Sequence, residues 1–152
     1  MKKDISHITT YESGIMQSTA HRVLGRIKAD FLSQYNLTSM QWFVIGLVHE
    51  AGAKGIRLGE LMKVLDTTMP YITNVINNLE AKGILHKVSD TKDSRVKIAI
   101  LNSTYKKTVE EIELGLRDEL RLKLYREDHI SRDELTTYIS VLYKIAQANK
   151  DY

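Results

Sequence analysis

The chain contains no cysteine in its 152 residues. A disulfide framework, thiolate metal sites, a cysteine nucleophile and a thiol-based redox switch are therefore all excluded. It has a single proline, Pro70, and only eight glycines. That is far from a collagen-like composition, and the balance leans towards helix. Long apolar runs are also missing: the longest, around residues 42–48, falls well short of the ~18 residues a membrane span needs. The opening Met1-Lys2-Lys3-Asp4 has two lysines with no apolar segment behind them, so no signal peptide and no membrane partner are expected. A cytoplasmic protein is the expectation.

Hydrophobic residues make up 43% of the chain and charged residues 27%, as in an ordinary globular protein with enough length for a core of its own. No linker composition or internal repeat divides it, which suggests one domain over residues 1–152. The net charge of +3 is unevenly spread. Residues 52–101 carry 8 basic against 5 acidic side chains, whereas residues 102–152 carry 9 against 10. A basic middle third suits a polyanionic partner, although many basic proteins have none.

Apolar residues at helical spacing from Ile15 through Val23, Leu24 and Ile27 to Phe31 predict a long first helix over about residues 9–34. Thr38-Ser39-Met40-Gln41 has the form of a capping box. The stripe Met40, Phe43, Val44, Leu47 and Val48 behind it predicts an amphipathic second helix closed by Gly52 and Gly55. Leu58, Leu61, Met62 and Leu65 predict a short third helix of about ten residues. After Asp66 a fourth follows, with Thr67 or Thr68 as N-cap and Pro70 in its first turn, where a missing N–H costs nothing. Its buried stripe would be Ile72, Val75, Ile76 and Leu79, with Gly83 as the stop. A short helix, a tight turn and a polar-faced helix are the spacing of a helix-turn-helix.

Beyond Gly83 the period changes to two. Ile84, His86 and Val88, then Val96, Ile98 and Ile100, predict a hairpin with a charged tip at Ser89-Asp90-Thr91-Lys92-Asp93-Ser94-Arg95. A long helix over about residues 103–127 follows, with Tyr105, Val109, Ile112, Leu116, Leu120 and Leu124 along one side and Gly115 as a weak point. Ser131-Arg132-Asp133-Glu134 then caps a last helix with Leu135, Ile139, Leu142 and Ala146 on one stripe, widened by Tyr138 and Ile145. The fold class expected is mainly α with a small β-hairpin: a winged helix-turn-helix lobe over about residues 38–101 and a helical lobe from about residues 1–35 and 102–152.

The fourth helix stands out for its missing charges. From Thr67 to Leu79 there is none, and the outward face reads Thr67, Thr68, Pro70, Tyr71, Thr73, Asn74, Asn77 and Asn78. Exposed helix faces usually carry Lys and Glu, which support the helix through i,i+4 pairs; Thr and Asn weaken it. They do offer donors, acceptors and methyl groups suited to base edges, and a helix N-terminus at a threonine cap suits a phosphate. Docking on another protein explains the same face equally well. The neighbouring hairpin tips the balance: residues 82–97 hold Lys82, Lys87, Lys92, Arg95 and Lys97 against Asp90 and Asp93, cations suited to phosphates and to a narrow minor groove. Together these features favour DNA binding.

The order of elements resembles the MarR family of winged-helix transcription regulators over essentially the whole chain. Leu79-Glu80-Ala81-Lys82-Gly83-Ile84-Leu85 is similar to that family's L-E-x-K-G-hydrophobic stretch. Asp90-Thr91-Lys92-Asp93-Ser94-Arg95 resembles its D-P-x-D-R-R wing signature, with Thr91 in place of the proline and Ser94 in place of the first arginine. The resemblance implies a homodimeric, ligand-responsive repressor on a pseudo-palindromic operator in double-stranded DNA. Arg95 would enter the minor groove, Asp93 would orient it, and Lys92 would lie beside them. The first, fifth and sixth helices would pair two subunits through residues such as Ile8, Leu135, Ile139, Leu142 and Ile145, and a small aromatic or anionic effector would act on the dimer.

No enzyme is expected. His7, His21, His49, His86 and His129 form no metal-ligand spacing, and Gly55-Ile56-Arg57-Leu58-Gly59 lacks the Lys-Ser/Thr of a P-loop. Some MarR-like regulators bind metals through His and Glu, a use to which His21 or His49 would lend itself, but neither a metal nor another cofactor is expected. The alternative to a DNA-binding regulator is a winged-helix module that docks on protein, which would favour exposed Leu, Phe or Met on the fourth helix.

Overall fold

The computed structural model describes residues 5–126 and 128–148; the expectations placed on Met1 to Asp4 and on Glu127 lie outside them. The chain divides into two compact units, residues 1–114 and 115–152, and the boundary falls within one helix at Gly115.

In the first unit, α1 (Thr10–Ser33) begins at a capping box in which Thr9 Oγ1 accepts from the Glu12 N–H while the Glu12 carboxylate accepts from the Thr9 N–H. Then come α2 (Ser39–Ala51), β1 (Ile56–Arg57), α3 (Leu58–Val64), α4 (Met69–Ala81), β2 (Leu85–Ser89) and β3 (Lys97–Leu101), followed by a short 3-10 turn and α5 (Lys106–Lys123). Three of these helices end alike. Asn36, Asp66 and Gly83 take left-handed backbone angles, and each time the next residue's N–H reaches five residues back: Leu37 to Leu32 O, Thr67 to Met62 O and Ile84 to Leu79 O. These 6→1 closures satisfy carbonyls that helix ends leave orphaned. The one at Asp66 makes the tight turn between α3 and α4. Because Thr67 closes α3, Thr68 is left as the N-cap of α4, its Oγ1 accepting from the Tyr71 N–H at 3.4 Å.

The core of this unit gathers Leu32, Trp42, Val44, Ile45, Val48, Leu61, Ile112 and the whole expected stripe of α4, Ile72, Val75, Ile76 and Leu79. On α2 the expected stripe is only half right. Val44 and Val48 are buried, but Ile45 and Trp42 join them, Phe43 is 37% exposed, and Met40 and Leu47 lie in between. Apolar residues surround most of α2, so periodicity does not choose a face. Gln41 is buried on the inward side, where its Oε1 accepts from the Thr38 N–H and from Lys82 Nζ, at 3.0 and 3.3 Å. Phe43 lies instead under the ammonium of Lys28, 5.2 Å from the ring centroid, a cation–π contact.

The sheet has three antiparallel strands in the order β1-β3-β2, one more than the expected hairpin. Ile56 pairs with Ala99 and Arg57 with Ile98; two residues are too few to show alternation in a sequence. In β2 the core side is one residue off the expected register. Leu85 is buried, whereas His86 and Val88 are exposed. A lysine occupies the next inward position of β2, Lys87, opposite the buried Ala99, and its polar character disguised the true alternation. Gly55 crosses over β3 with φ +68°, and a Cβ there would stand 2.5 Å from the Ala99 carbonyl oxygen.

The second unit holds the end of α5 and α6 (Arg132–Ala148). Helix α5 stops at Lys123, short of the expected end, because the N–H groups of Leu124 and Tyr125 both bond to the Leu120 carbonyl, which widens and closes the last turn. The expected capping box of α6 is present: the Ser131 N–H donates to Glu134 Oε2 at 2.8 Å and the Glu134 N–H to Ser131 Oγ at 3.1 Å. In this single chain α6 buries none of its described residues.

Candidate nucleic-acid interface

Two elements compose the interface. Opposite its buried stripe, α4 exposes Thr68, Pro70, Tyr71, Asn74, Asn77 and Asn78, with Thr67 and Thr73 half-buried beside them. The helix starts at the Thr68 cap, with Met69 as its first residue and Pro70 next. Met69 is 39% exposed there. Sequence reasoning had not placed this residue on the face, since methionine usually reads as core. The face thus combines amide and hydroxyl groups with a thioether and an aromatic ring, without a formal charge.

The wing is a network rather than a free loop. The Asp90 carboxylate accepts from the Lys92 N–H at 2.8 Å and from the Arg57 guanidinium at 2.8 Å, while the Asp90 N–H bonds to the Val96 carbonyl across the loop. The Lys92 N–H chiefly, with the Arg57 charge adding, holds the Asp90 carboxyl below its ordinary range against the opposing effect of lost hydration. Arg57 thereby ties the wing to β1. No local pattern points to this pair, because the partner lies 33 positions away.

At the tip, Asp93 grips Arg95 by three bonds: its Oδ1 accepts from the Arg95 Nε at 3.0 Å and from the Arg95 backbone N–H at 3.1 Å, and its Oδ2 from Nη2 at 3.2 Å. The guanidinium itself stands 89% exposed. Its hydrogen bonds keep the Asp93 carboxyl below the usual carboxylate range. A forked carboxylate removes rotamer freedom from an otherwise mobile side chain, and so aims a cation outward.

The other basic residues of residues 82–97 have different roles. Lys82 turns away, donating to the Asn36 carbonyl at 2.5 Å as well as to Gln41, so it pins α4 to the α1–α2 corner instead of enlarging the basic tip. Lys97 donates to Ser89 Oγ across the hairpin at 2.8 Å. Lys87 bonds to α4: its ammonium donates to Asn77 Oδ1 at 2.6 Å and its backbone N–H to Glu80 Oε2 at 3.0 Å. Lys92 and Arg95 remain as the exposed tip cations. Of the residues expected to pair subunits, Ile8 and Leu135 are half-buried and Leu142 is exposed, as are Ile139 and Ile145 at 59% and 60%.

The model of the SarA/Rot transcriptional regulators matches residues 26–112, and no curated protein matches. Among solved structures, MepR of S. aureus in complex with DNA is 21% identical, aligns over 93% of this chain and 99% of its own, and gives a TM-score of 0.73. CouR from Rhodococcus jostii bound to p-coumaroyl-CoA is 16% identical, covering 93% and 96%, at 0.79. AbsC, a MarR family transcriptional regulator from Streptomyces coelicolor, is 16% identical, covering 95% and 98%, at 0.77. The shared fold is the winged-helix architecture of MarR regulators, as the sequence resemblance implied.

Proposed function

The chain belongs to the SarA/Rot family of transcriptional regulators, and from that premise we propose that it is a sequence-specific regulator that binds double-stranded DNA as a homodimer. Helix α4 enters the major groove with Thr67, Thr68, Pro70, Tyr71, Thr73, Asn74, Asn77 and Asn78, and the wing carries Lys92 and Arg95, aimed by Asp93, to the adjacent minor groove. A two-fold dimer places these elements on a pseudo-palindrome with half-sites about one helical turn apart. The observation that carries this reading is the uncharged, capped face of α4 beside a wing whose exposed arginine is held by a carboxylate. A protein-docking face would show more exposed Leu, Phe or Met; on the described α4, Met69 alone qualifies.

The exposed apolar side of α6, with Ile139, Leu142 and Ile145, supports pairing of two subunits as one domain-level assembly, with residues 38–101 reading DNA and the terminal helices joining the chains. CouR carries a coenzyme A ester; by analogy, a small aromatic or anionic effector releases this chain from its operator and makes it a repressor. Such a ligand must prefer the arrangement of subunits that does not fit DNA, since only differential affinity shifts the equilibrium. The protein acts in the cytoplasm and catalyses no reaction; no helix among the described residues is long and apolar enough to cross a membrane. Footprinting the purified protein on DNA upstream of its own gene, then titrating that site at several salt concentrations, tests the proposal. A palindromic footprint, two chains per site and affinity falling steeply with salt are expected. Salt-independent binding or one chain per site would refute it.

A further inference from the structure

Asn77 lies on the outward face of α4 and is exposed. An asparagine on a recognition helix ordinarily presents both a carbonyl and an amide, which together match the N6–H and N7 of adenine. Here one lone pair of the carbonyl is already engaged, and that bond fixes where the oxygen points. The Lys87 ammonium stands 2.6 Å from Asn77 Oδ1, and since an ammonium only donates, the orientation of the amide is settled: oxygen towards Lys87, NH2 away.

Lys87 is held at this position twice more by α4, through its backbone N–H to Glu80 Oε2 at 3.0 Å and through its ammonium to Glu80 Oε1 at 3.6 Å. The tie lies within the first unit and joins β2 directly to the reading face.

We propose that Lys87 orients Asn77 to read chiefly as a donor, its oxygen held towards the ammonium and its NH2 turned away, so that the operator position facing Asn77 carries an acceptor edge, guanine in preference to adenine. The proposal rests on the reading of α4 as the helix that meets the major groove. Adenine and cytosine present an exocyclic amino group in that groove, which the free NH2 of Asn77 would meet donor to donor. Guanine presents O6 and N7, both acceptors. The neighbouring ammonium adds positive potential where guanine's acceptors concentrate negative potential, and acts in the same direction. Glu80 Oε1, 3.6 Å from the ammonium, favours this placement of the lysine over one on a phosphate.

Selection of binding sites from a randomised duplex pool tests this with three proteins: wild type, Asn77→Ala and Lys87→Met. The Asn77→Ala pool identifies the position that Asn77 reads, as the one where preference is lost. At that position the wild type should favour guanine over adenine by about tenfold. Lys87→Met, which keeps the aliphatic stem but frees the Asn77 carbonyl, should admit adenine at that position and leave the other positions unchanged.

Wild-type preference for adenine there overturns the proposal. So does a Lys87→Met pool that keeps the guanine preference, or loses it without gaining adenine; the last result would mean that the lysine itself reads the base. Circular dichroism and urea unfolding of Lys87→Met establish that the fold is intact; if it is not, Lys87→Arg, which like lysine only donates, should keep the guanine preference, and its loss counts against the proposal. Failure of the wild type to select any sequence refutes the DNA-binding reading itself, an outcome separate from the others.

Discussion

Replacing Gly55 by alanine perturbs the joint between the helical core and the sheet. Gly55 has φ +68° and ψ −172°, a region that side-chain-bearing residues occupy only at a cost of about 1–3 kcal/mol. A methyl group there would stand 2.5 Å from the Ala99 backbone oxygen and 2.7 Å from the side chains of Ile98 and Ile100. The isoleucines can rotate, but the carbonyl cannot, so β1 must lift from β3. That weakens the Ile56–Ala99 and Arg57–Ile98 pairing, where each hydrogen bond contributes about 1 kcal/mol. The total is about 3–5 kcal/mol, a large part of the roughly 5–15 kcal/mol that stabilises a domain, and implies a fall in Tm of about 10 °C for a chain of this size.

Gly59 supplies the contrast. It is helical, has no positive φ, and a Cβ there would meet nothing within 4 Å, so Gly59→Ala should be neutral or stabilise by about 0.5 kcal/mol. Urea unfolding of both variants at one subunit concentration decides the matter. A Gly55→Ala protein within 1 kcal/mol of wild type would refute the close-approach argument. The same variant should also bind DNA more weakly than its folded fraction accounts for, because displacing β1 draws Arg57 away from Asp90 and loosens the wing.

Arg95→Ala should weaken operator binding about tenfold, most at A/T-rich flanks, by removing a minor-groove cation; wild-type affinity in a titration with labelled operator would remove the wing from the interface. Asp90 and Asp93 both titrate below the ordinary carboxylate range in the folded chain. Their contribution to wing order is therefore complete above that range and is lost as pH falls through the depressed values; the backbone N–H resonances of Lys92 and Arg95 should shift with midpoints lower than those of an ordinary carboxylate, and midpoints in the ordinary range would contradict the network. Ile139→Glu places a charge on the exposed apolar side of α6, so the single chain should fold normally while dimerisation weakens by about 3 kcal/mol for each unpaired charge buried. Sedimentation at several concentrations measures this, and an unchanged dimer would exclude Ile139 from the interface.

Local chemistry by itself determined a large part of this protein. Where a segment's own residues satisfy its backbone, as at the Thr38 and Ser131 capping boxes, the Thr68 cap and the Gly83 stop, the elements begin and end as the sequence indicated. The α4 stripe was legible for the same reason: its apolar residues have one face and its polar residues the other. The pair Asp93 and Arg95 is close enough in the chain for a sequence pattern to bring them together.

Tertiary structure decided what depends on distant partners. Helix α2 is apolar nearly all round, so its own pattern does not choose a face. Packing against the rest of the unit turns Trp42, Val44, Ile45 and Val48 inward, and the buried Gln41 is satisfied there by Lys82, forty-one positions away. β1 exists because β3 offers it an edge, and Arg57 matters because Asp90 stands across that edge. In β2 a lysine occupies an inward position, so the apparent alternation shifted by one residue and Lys87 read as one more cation of a basic tip. Its bond to Asn77 joins residues ten positions apart on different elements. A sequence supplies the charge and the amide, but only the packing of β2 against α4 brings them within hydrogen-bond distance.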